Sequence, residues 1–375
     1  MRSSVALRLA AVTLCTGISL SAQSSPIKRR ESIEAVRFIY VQPGVKLEVL
    51  DWGGTGRPLV LLAGLGNTAH VFEELAQRLR ADYHVYGVTR RGFGQSSEPG
   101  AGYSADRLGD DVLAVMDSLR LAKPVLIGHS IAGEELSSIG SRHPDRVSGL
   151  VYLDAADSYA FYDTTTGDYR VDLSDLRRKL DTLQQAPTAR LINELLSTTL
   201  PTFQRDLRDV LAYGENGGQV PPQPPGYEAR ASFPAFHAWL QLAGGFAVPI
   251  AELREQYEEL PDGSVGRRFR APEDALWFSQ AIIGGLQKYR SVPVPMLAIF
   301  ANPHALGAFV SDSAKAKAIA RDSIGVTEQI AVVRRAVPQA RIVELRGAHH
   351  YLFLTNQADV LREINAFVKS LPDSR

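Results

Sequence analysis

Cysteine is almost missing from this chain: Cys15 is the single one. One thiol excludes an intramolecular disulfide and every cysteine-based zinc site. There is no excess of charge either, because 41 Lys and Arg stand against 41 Asp and Glu. A dedicated nucleic-acid binder normally carries a basic excess to neutralise phosphates, so no nucleic-acid partner is expected. No apolar run reaches the roughly 20 residues of a comfortable bilayer span. No internal repeat marks a solenoid or propeller. The zinc spacing H-E-x-x-H and the phosphate loop G-x-x-x-x-G-K-[ST] are both missing, and Gly64-Leu65-Gly66 lacks the third glycine of a dinucleotide loop. No metal and no organic cofactor is expected.

What is present is an ordinary globular composition, with 45% hydrophobic and 22% charged residues. At 375 residues there is room for roughly two domains of about 150 residues. The start is distinctive. Arg2 and Arg8 precede an apolar run from Leu9 to Leu20, and Ser21-Ala22-Gln23-Ser24-Ser25-Pro26 follows. A basic start, a short apolar stretch and a small-residue exit read as a secretory signal peptide over residues 1–24. Leu14, just before Cys15, is not the small residue that a lipoprotein processing site wants. The expectation is a secreted or periplasmic protein, free of cysteine and of a stable membrane span once processed.

Further on, the periodicity changes in an ordered way. Glu34 to Gln42 and Lys46 to Trp52 alternate around Pro43-Gly44, which predicts a hairpin. Short continuous apolar runs at 58–62, 84–88, 124–127 and 150–153 read as strands covered on both faces. Helical spacing separates them at 70–79, 105–119 and 131–142. The same alternation resumes at 295–300, 327–336, 340–345 and 357–368. Alternating strands and helices predict a mostly parallel twisted sheet with helices on both faces. Between about 157 and 291 the pattern is helical, broken by the Pro/Gly-rich stretch 214–226, and this whole block is too long for a loop.

Strand 124–127 runs into Gly128-His129-Ser130-Ile131-Ala132-Gly133 and then a helix. A serine on such a sharp turn projects its hydroxyl above the carboxyl edge of the sheet, and Gly128 permits the tight backbone. The usual pattern is G-x-S-x-G; here Ala132 stands in the fifth place. With this turn, the chain resembles the α/β-hydrolase fold family over roughly residues 34–370. The 157–291 block matches only in position. The resemblance implies a hydrolase core over 25–156 and 292–375, with an inserted, mainly helical lid over 157–291.

Further residues carry the resemblance. Ala63-Gly64-Leu65-Gly66-Asn67 sits where the family supplies one backbone N–H of an oxyanion hole. The second comes from the residue after the nucleophile, so Leu65 and Ile131 are the implied donors. Arg90-Arg91-Gly92-Phe93-Gly94-Gln95-Ser96 resembles an architectural turn of the family. The acid usually follows the strand after the lid, but Ile299 to His304 offers no carboxylate. A minority arrangement places it one strand earlier, which implies Asp154, with Asp157 as runner-up. Arg346-Gly347-Ala348-His349-His350 follows the last strand, and the G-x-x-H spacing implies His350 as the base, His349 being the second candidate. The chain order is then Ser130, Asp154, His350.

The expected chemistry is that of a serine hydrolase, acting through an acyl-enzyme on an ester or related acyl bond of a small, partly apolar substrate. Amide, lactone or carbon–carbon bond hydrolysis and acyl transfer use the same parts. Serine at the elbow speaks against the haloalkane dehalogenase and epoxide hydrolase branches, which use aspartate there. From another class, a non-catalytic hydrolase-fold binder is the alternative. His70, His84, His129, His143, His237 and His304 are expected to be structural or solvated, His304 lying near the active edge. The aromatics Phe233, Phe236, Trp239, Phe246, Trp277 and Phe278 are expected in the core of the lid.

Overall fold

The computed structural model describes residues 35–372, apart from 215–218 and 221. The segment read as a signal peptide, with Cys15, lies outside the described residues. β1 (Ala35–Gln42) and β2 (Val45–Gly53) form the expected hairpin, with Gly44 at φ 77° in its turn. β3 (Pro58–Leu62), α1 (Glu73–Leu79), β4 (His84–Val88), α2 (Ala105–Ser118), β5 (Val125–His129), α3 (Ala132–Arg142) and β6 (Gly149–Leu153) then alternate. A 3₁₀ turn, Ala69–Phe72, capped by the Thr68 side chain, leads into α1. It occupies the start of the stretch expected to be one helix. The Ser104 side chain caps α2, which buries Leu108, Val112 and Val115 on one face.

An insertion follows β6. It holds α4 (Tyr169–Gln185), α5 (Ala189–Glu194), a π-helical turn Leu195–Thr199, α6 (Leu200–Gly214), α7 (Phe233–Gly244) and α8 (Ile250–Gln256). A two-stranded sheet of β7 (Tyr257–Glu259) and β8 (Val265–Arg268) comes next, and then α9 (Pro272–Ile283). Phe233, Phe236, Leu253 and Val265 give the insertion a small apolar cluster of its own. The chain returns to the main sheet with β9 (Met296–Ala301), α10 (Asp312–Ala336), β10 (Arg341–Leu345), α11 (Leu352–Thr355) and α12 (Gln357–Ser370).

The main sheet has eight strands in the order β1-β2-β4-β3-β5-β6-β9-β10. β1 and β2 are antiparallel to their neighbours, and every other pairing is parallel. Alternate residues of the central strands feed two apolar layers. Leu126, Tyr152 and Ala298 belong to the layer with α2 and α3, and Ile127, Val151 and Leu297 to the one with α1 and α12. No described helix is long and apolar enough to cross a membrane. α10 is much longer than the expected 327–336. Its buried residues, Ile330, Val332 and Val333, all lie in its last two turns. The polar front half therefore shows no apolar period to read.

Candidate active site

β5 ends at His129, and Ser130 turns the chain sharply into α3. Ser130 sits at φ 54°, a left-handed conformation that costs a non-glycine residue about 1–2 kcal/mol. Backbone bonds hold it there: its N–H donates to Leu153 O at 3.3 Å, and Gly133 N–H donates to Ser130 O at 2.9 Å. A Cβ on Gly133 would lie 1.8 Å from the Ala155 carbonyl oxygen, so only glycine lets α3 approach the end of β6. Ala132 in the fifth motif place is buried without conflict. The need for glycine has moved one residue along.

The loop after β3 is pressed against this turn. A Cβ on Gly64 would come within 2.8 Å of His129 Nδ1 and 3.1 Å of Ser130 Cβ. Leu65 thus sits in a loop touching the elbow. Ile131 heads α3, where the first N–H groups of a helix have no intrahelical acceptor and suit a developing anion. Arg90 braces the arrangement from below. Its guanidinium pairs with Glu135 at 2.6 and 3.1 Å and donates to Ala63 O at 3.0 Å.

Asp154 leaves β6 as Ser130 leaves β5, one step beyond the last paired residues, His129 and Leu153. It too is left-handed, at φ 47°. Its Oδ2 accepts from His350 Nδ1 at 2.6 Å, and its Oδ1 accepts from Ala301 N–H at 3.0 Å. Because Nδ1–H of His350 goes to Asp154, the lone pair of that imidazole sits on Nε2. β5, β6, β9 and β10 are consecutive in the sheet, so the loops after them meet at one carboxyl edge.

His304 joins them from the loop after β9. Its Nε2 lies 2.7 Å from the same Asp154 Oδ2, and its Nδ1 lies 2.9 Å from Asp322 Oδ1 on α10. The loop expected to lack a carboxylate therefore contributes an imidazole, and the expectation that His304 is merely structural or solvated is corrected. Sequence spacing held no signal for this, because Asp322 lies outside the stretch 327–336 that reads as helix. Burial works to raise the Asp154 carboxyl, but the hydrogen bonds and charges of His304 and His350 hold it well below the usual carboxylate range. Burial works to lower His304, yet Asp154 and Asp322 outweigh it and push the imidazole up to about 10. These donor atoms are committed to N–H···O bonds among themselves, a proton-holding cluster.

The other candidates lie around this core. Asp157 is half exposed, accepts from Ser158 N–H at 2.8 Å and faces Arg170 at 3.7 Å. His349 Nδ1 accepts from Tyr351 N–H at 3.2 Å. Burial, then the neighbouring His350 and His304, bring His349 down to about 4. His129, expected to be structural, donates from Nε2 to the His350 carbonyl at 3.1 Å and so tethers that loop to β5. Burial, with His350 close by, lowers His129 to about 3. The buried Tyr159 hydroxyl shares a hydrogen bond with Ser130, a contact that no motif announces.

The insertion reaches the same edge. Glu252 of α8 is fully buried and accepts from Asn67 Nδ2 at 3.1 Å and from Thr68 N–H at 3.0 Å. Thr68 Oγ1 donates to its other oxygen at 2.5 Å. Burial raises this carboxyl despite those bonds. Phe246 lies against His349 with ring centres 3.9 Å apart and stacks on Tyr351 at 4.8 Å, and the Tyr351 hydroxyl donates to Asn67 Oδ1 at 2.8 Å. Phe246 thus leaves the insertion core in which it was expected and walls the site; Phe233 and Phe236 stay in that core.

A model of the α/β hydrolase fold matches residues 57–243. Together with the sheet order and the elbow, this shows that the chain belongs to the α/β-hydrolase fold family. It is 30% identical over 101 residues to 2-(acetamidomethylene)succinate hydrolase of Mesorhizobium japonicum, covering 27% of this chain and 36% of that protein. It is 32% identical over 171 residues to 2-hydroxymuconate semialdehyde hydrolase of a Pseudomonas species, covering 42% of this chain and 56% of that one. The chain thus matches these curated relatives over less than two thirds of their own length. Among solved structures, E-2-(acetamidomethylene)succinate hydrolase aligns with a TM-score of 0.54 at 21% identity, over 90% of this chain and 99% of that one. An esterase from Exiguobacterium antarcticum aligns at 0.53 and 18%, over 90% and 100%. At such identities these two likenesses concern the fold alone. By name, these relatives are hydrolases and an esterase.

Proposed function

We propose that the chain is a serine hydrolase that cleaves an ester or related acyl bond of a small, partly apolar substrate. The observation that carries this reading is the 2.6 Å bond from His350 Nδ1 to Asp154, beside a serine held at φ 54° on the elbow. His350 Nε2 takes the proton of Ser130 Oγ as the oxygen attacks the carbonyl carbon. The oxyanion is met by the N–H groups of Leu65 and Ile131, each worth about 10²–10³ in turnover. His350 then protonates the leaving group, and the acyl-enzyme is released by water that His350 activates. The insertion acts as a lid, and Phe246 with Tyr351 gives the entrance an apolar wall. The basic start and apolar run of residues 1–24 support export from the cytoplasm. Epoxide hydrolase A of Mycobacterium tuberculosis is also a relative, at 33% identity over 120 residues. A serine hydroxyl is suited to acyl transfer, and the elbow offers no carboxylate for attack on an epoxide carbon.

The test is hydrolysis of p-nitrophenyl esters of graded acyl length by the native protein and by Ser130→Ala. Activity that vanishes in the variant supports the reading, and the length profile sizes the pocket. A Ser130→Ala protein as active as the native one overturns it. Asp154→Asn is expected to lose about 10⁴ in kcat, while Asp157→Asn keeps near-native activity. The reverse ranking would move the acid to Asp157.

A further inference from the structure

We propose that His304 and Asp322 are positioning residues that hold Asp154 as a carboxylate shared by two imidazoles, and so set the acid edge of the reaction. The inference rests on the reading of Ser130, His350 and Asp154 given above.

Geometry carries it. Both ring nitrogens of His304 face carboxylate oxygens, Asp154 Oδ2 at 2.7 Å and Asp322 Oδ1 at 2.9 Å. An imidazole satisfies two acceptors only when both nitrogens carry protons, so this ring is an imidazolium. Asp322 is fixed in turn, because its Oδ2 accepts the His304 backbone N–H at 2.7 Å. Asp154 therefore receives N–H groups from His304, His350 and Ala301, and the three donors hold its carboxylate in one orientation. The charges also balance. Asp154 and Asp322 with the His304 cation sum to one negative charge, as a lone Asp154 would. The order of those charges differs, however, since the positive ring lies nearest.

The centres of the His304 and His350 rings are 6.2 Å apart. A fixed cation at that distance opposes a second one on His350. The other titratable groups facing the cluster are His129 at the end of β5, Asp157 and Tyr159 after β6, and His349 beside His350. Burial keeps both of these histidines neutral near pH 7. His350 must be neutral to accept the Ser130 proton. Asp322 keeps the His304 cation in place.

The pH profile of kcat/KM on a p-nitrophenyl ester tests this in the native protein, His304→Gln and Asp322→Asn. Glutamine keeps an N–H for Asp154 and removes the charge. The acid limb should then move up by about one pH unit, costing roughly tenfold in activity below it. Asparagine keeps an acceptor for Nδ1–H but withdraws the charge that keeps the cation in place, so the limb should move up here as well. Limbs that coincide in all three proteins, or a limb that moves down in His304→Gln, overturn the inference. A second readout needs no variant to fold. NMR of the native protein with ¹⁵N-labelled histidine should show one imidazole protonated on both nitrogens through pH 8, and a set of histidines without such a ring overturns it. Failure of the underlying reading is seen separately, as an active Ser130→Ala protein. Failure of the inference alone leaves that variant inactive and the His304→Gln limb in place.

Discussion

Among the described residues, Arg120, Lys123, Ser130 and Asp154 are the non-glycines with positive φ. The last two end the neighbouring strands β5 and β6. Strain at this level persists only where surrounding structure over-determines it, which ties Ser130 and Asp154 to the edge they share. Two further residues give the fold opposite responses to pH. Burial and His350 hold His129 near 3, whereas the unfolded side chain titrates near 6.5. The unfolded chain takes up a proton that the folded one refuses, so this contribution is complete above pH 6.5 and is lost as pH falls toward 3. His304 is raised to about 10, so its contribution is complete below pH 6.5 and is lost as pH rises toward 10. Thermal midpoints measured across pH should show His129→Gln flattening the acid side and His304→Gln the alkaline side. A variant that flattens the opposite side would contradict these assignments.

At the scale of elements, α3 is packed by backbone as much as by side chains. Because a Cβ on Gly133 would meet the Ala155 carbonyl at 1.8 Å, Gly133→Ala has to displace either α3 or the end of β6. The expected loss is about 3 kcal/mol or more in urea unfolding, with slower labelling of Ser130 by a serine probe. Ala132→Gly, the change toward the commoner motif, should cost about 1 kcal/mol and leave labelling near native. Equal losses at both positions would refute this account of the elbow. The elbow itself was legible, since an apolar run, Gly128, Ser130 and a helical period stand in order along the chain. Which residue of Ala132 and Gly133 needs to be glycine was not, because the atom it must clear belongs to another strand. The Arg90–Glu135 pair is similar: the turn is visible in sequence, but its partner on α3 and its bond to Ala63 are not.

At the scale of the whole molecule, Glu252 ties the insertion to the loop that carries Leu65. Its carboxylate is the acceptor for Thr68 N–H and Asn67 Nδ2, both in buried residues. Glu252→Ala should cost about 2–3 kcal/mol in stability and lower kcat on a short ester by about tenfold, since the loop loses its anchor. Native kcat with a lowered thermal midpoint would show that the anchor serves stability alone. The sequence by itself determined the alternation of strands and helices, the elbow at Ser130, and the strand ends that carry Asp154 and His350. Each of these is written in local period and turn chemistry, which act over a few residues. The tertiary structure alone decided that His304 and Asp322 close on Asp154, that His129 holds the His350 loop, and that Glu252 grips the loop after β3. Those contacts join residues 150, 18, 221 and 185 positions apart. Only the strand order and the packing of helices on the sheet bring them within hydrogen-bonding distance, and no local pattern encodes that approach.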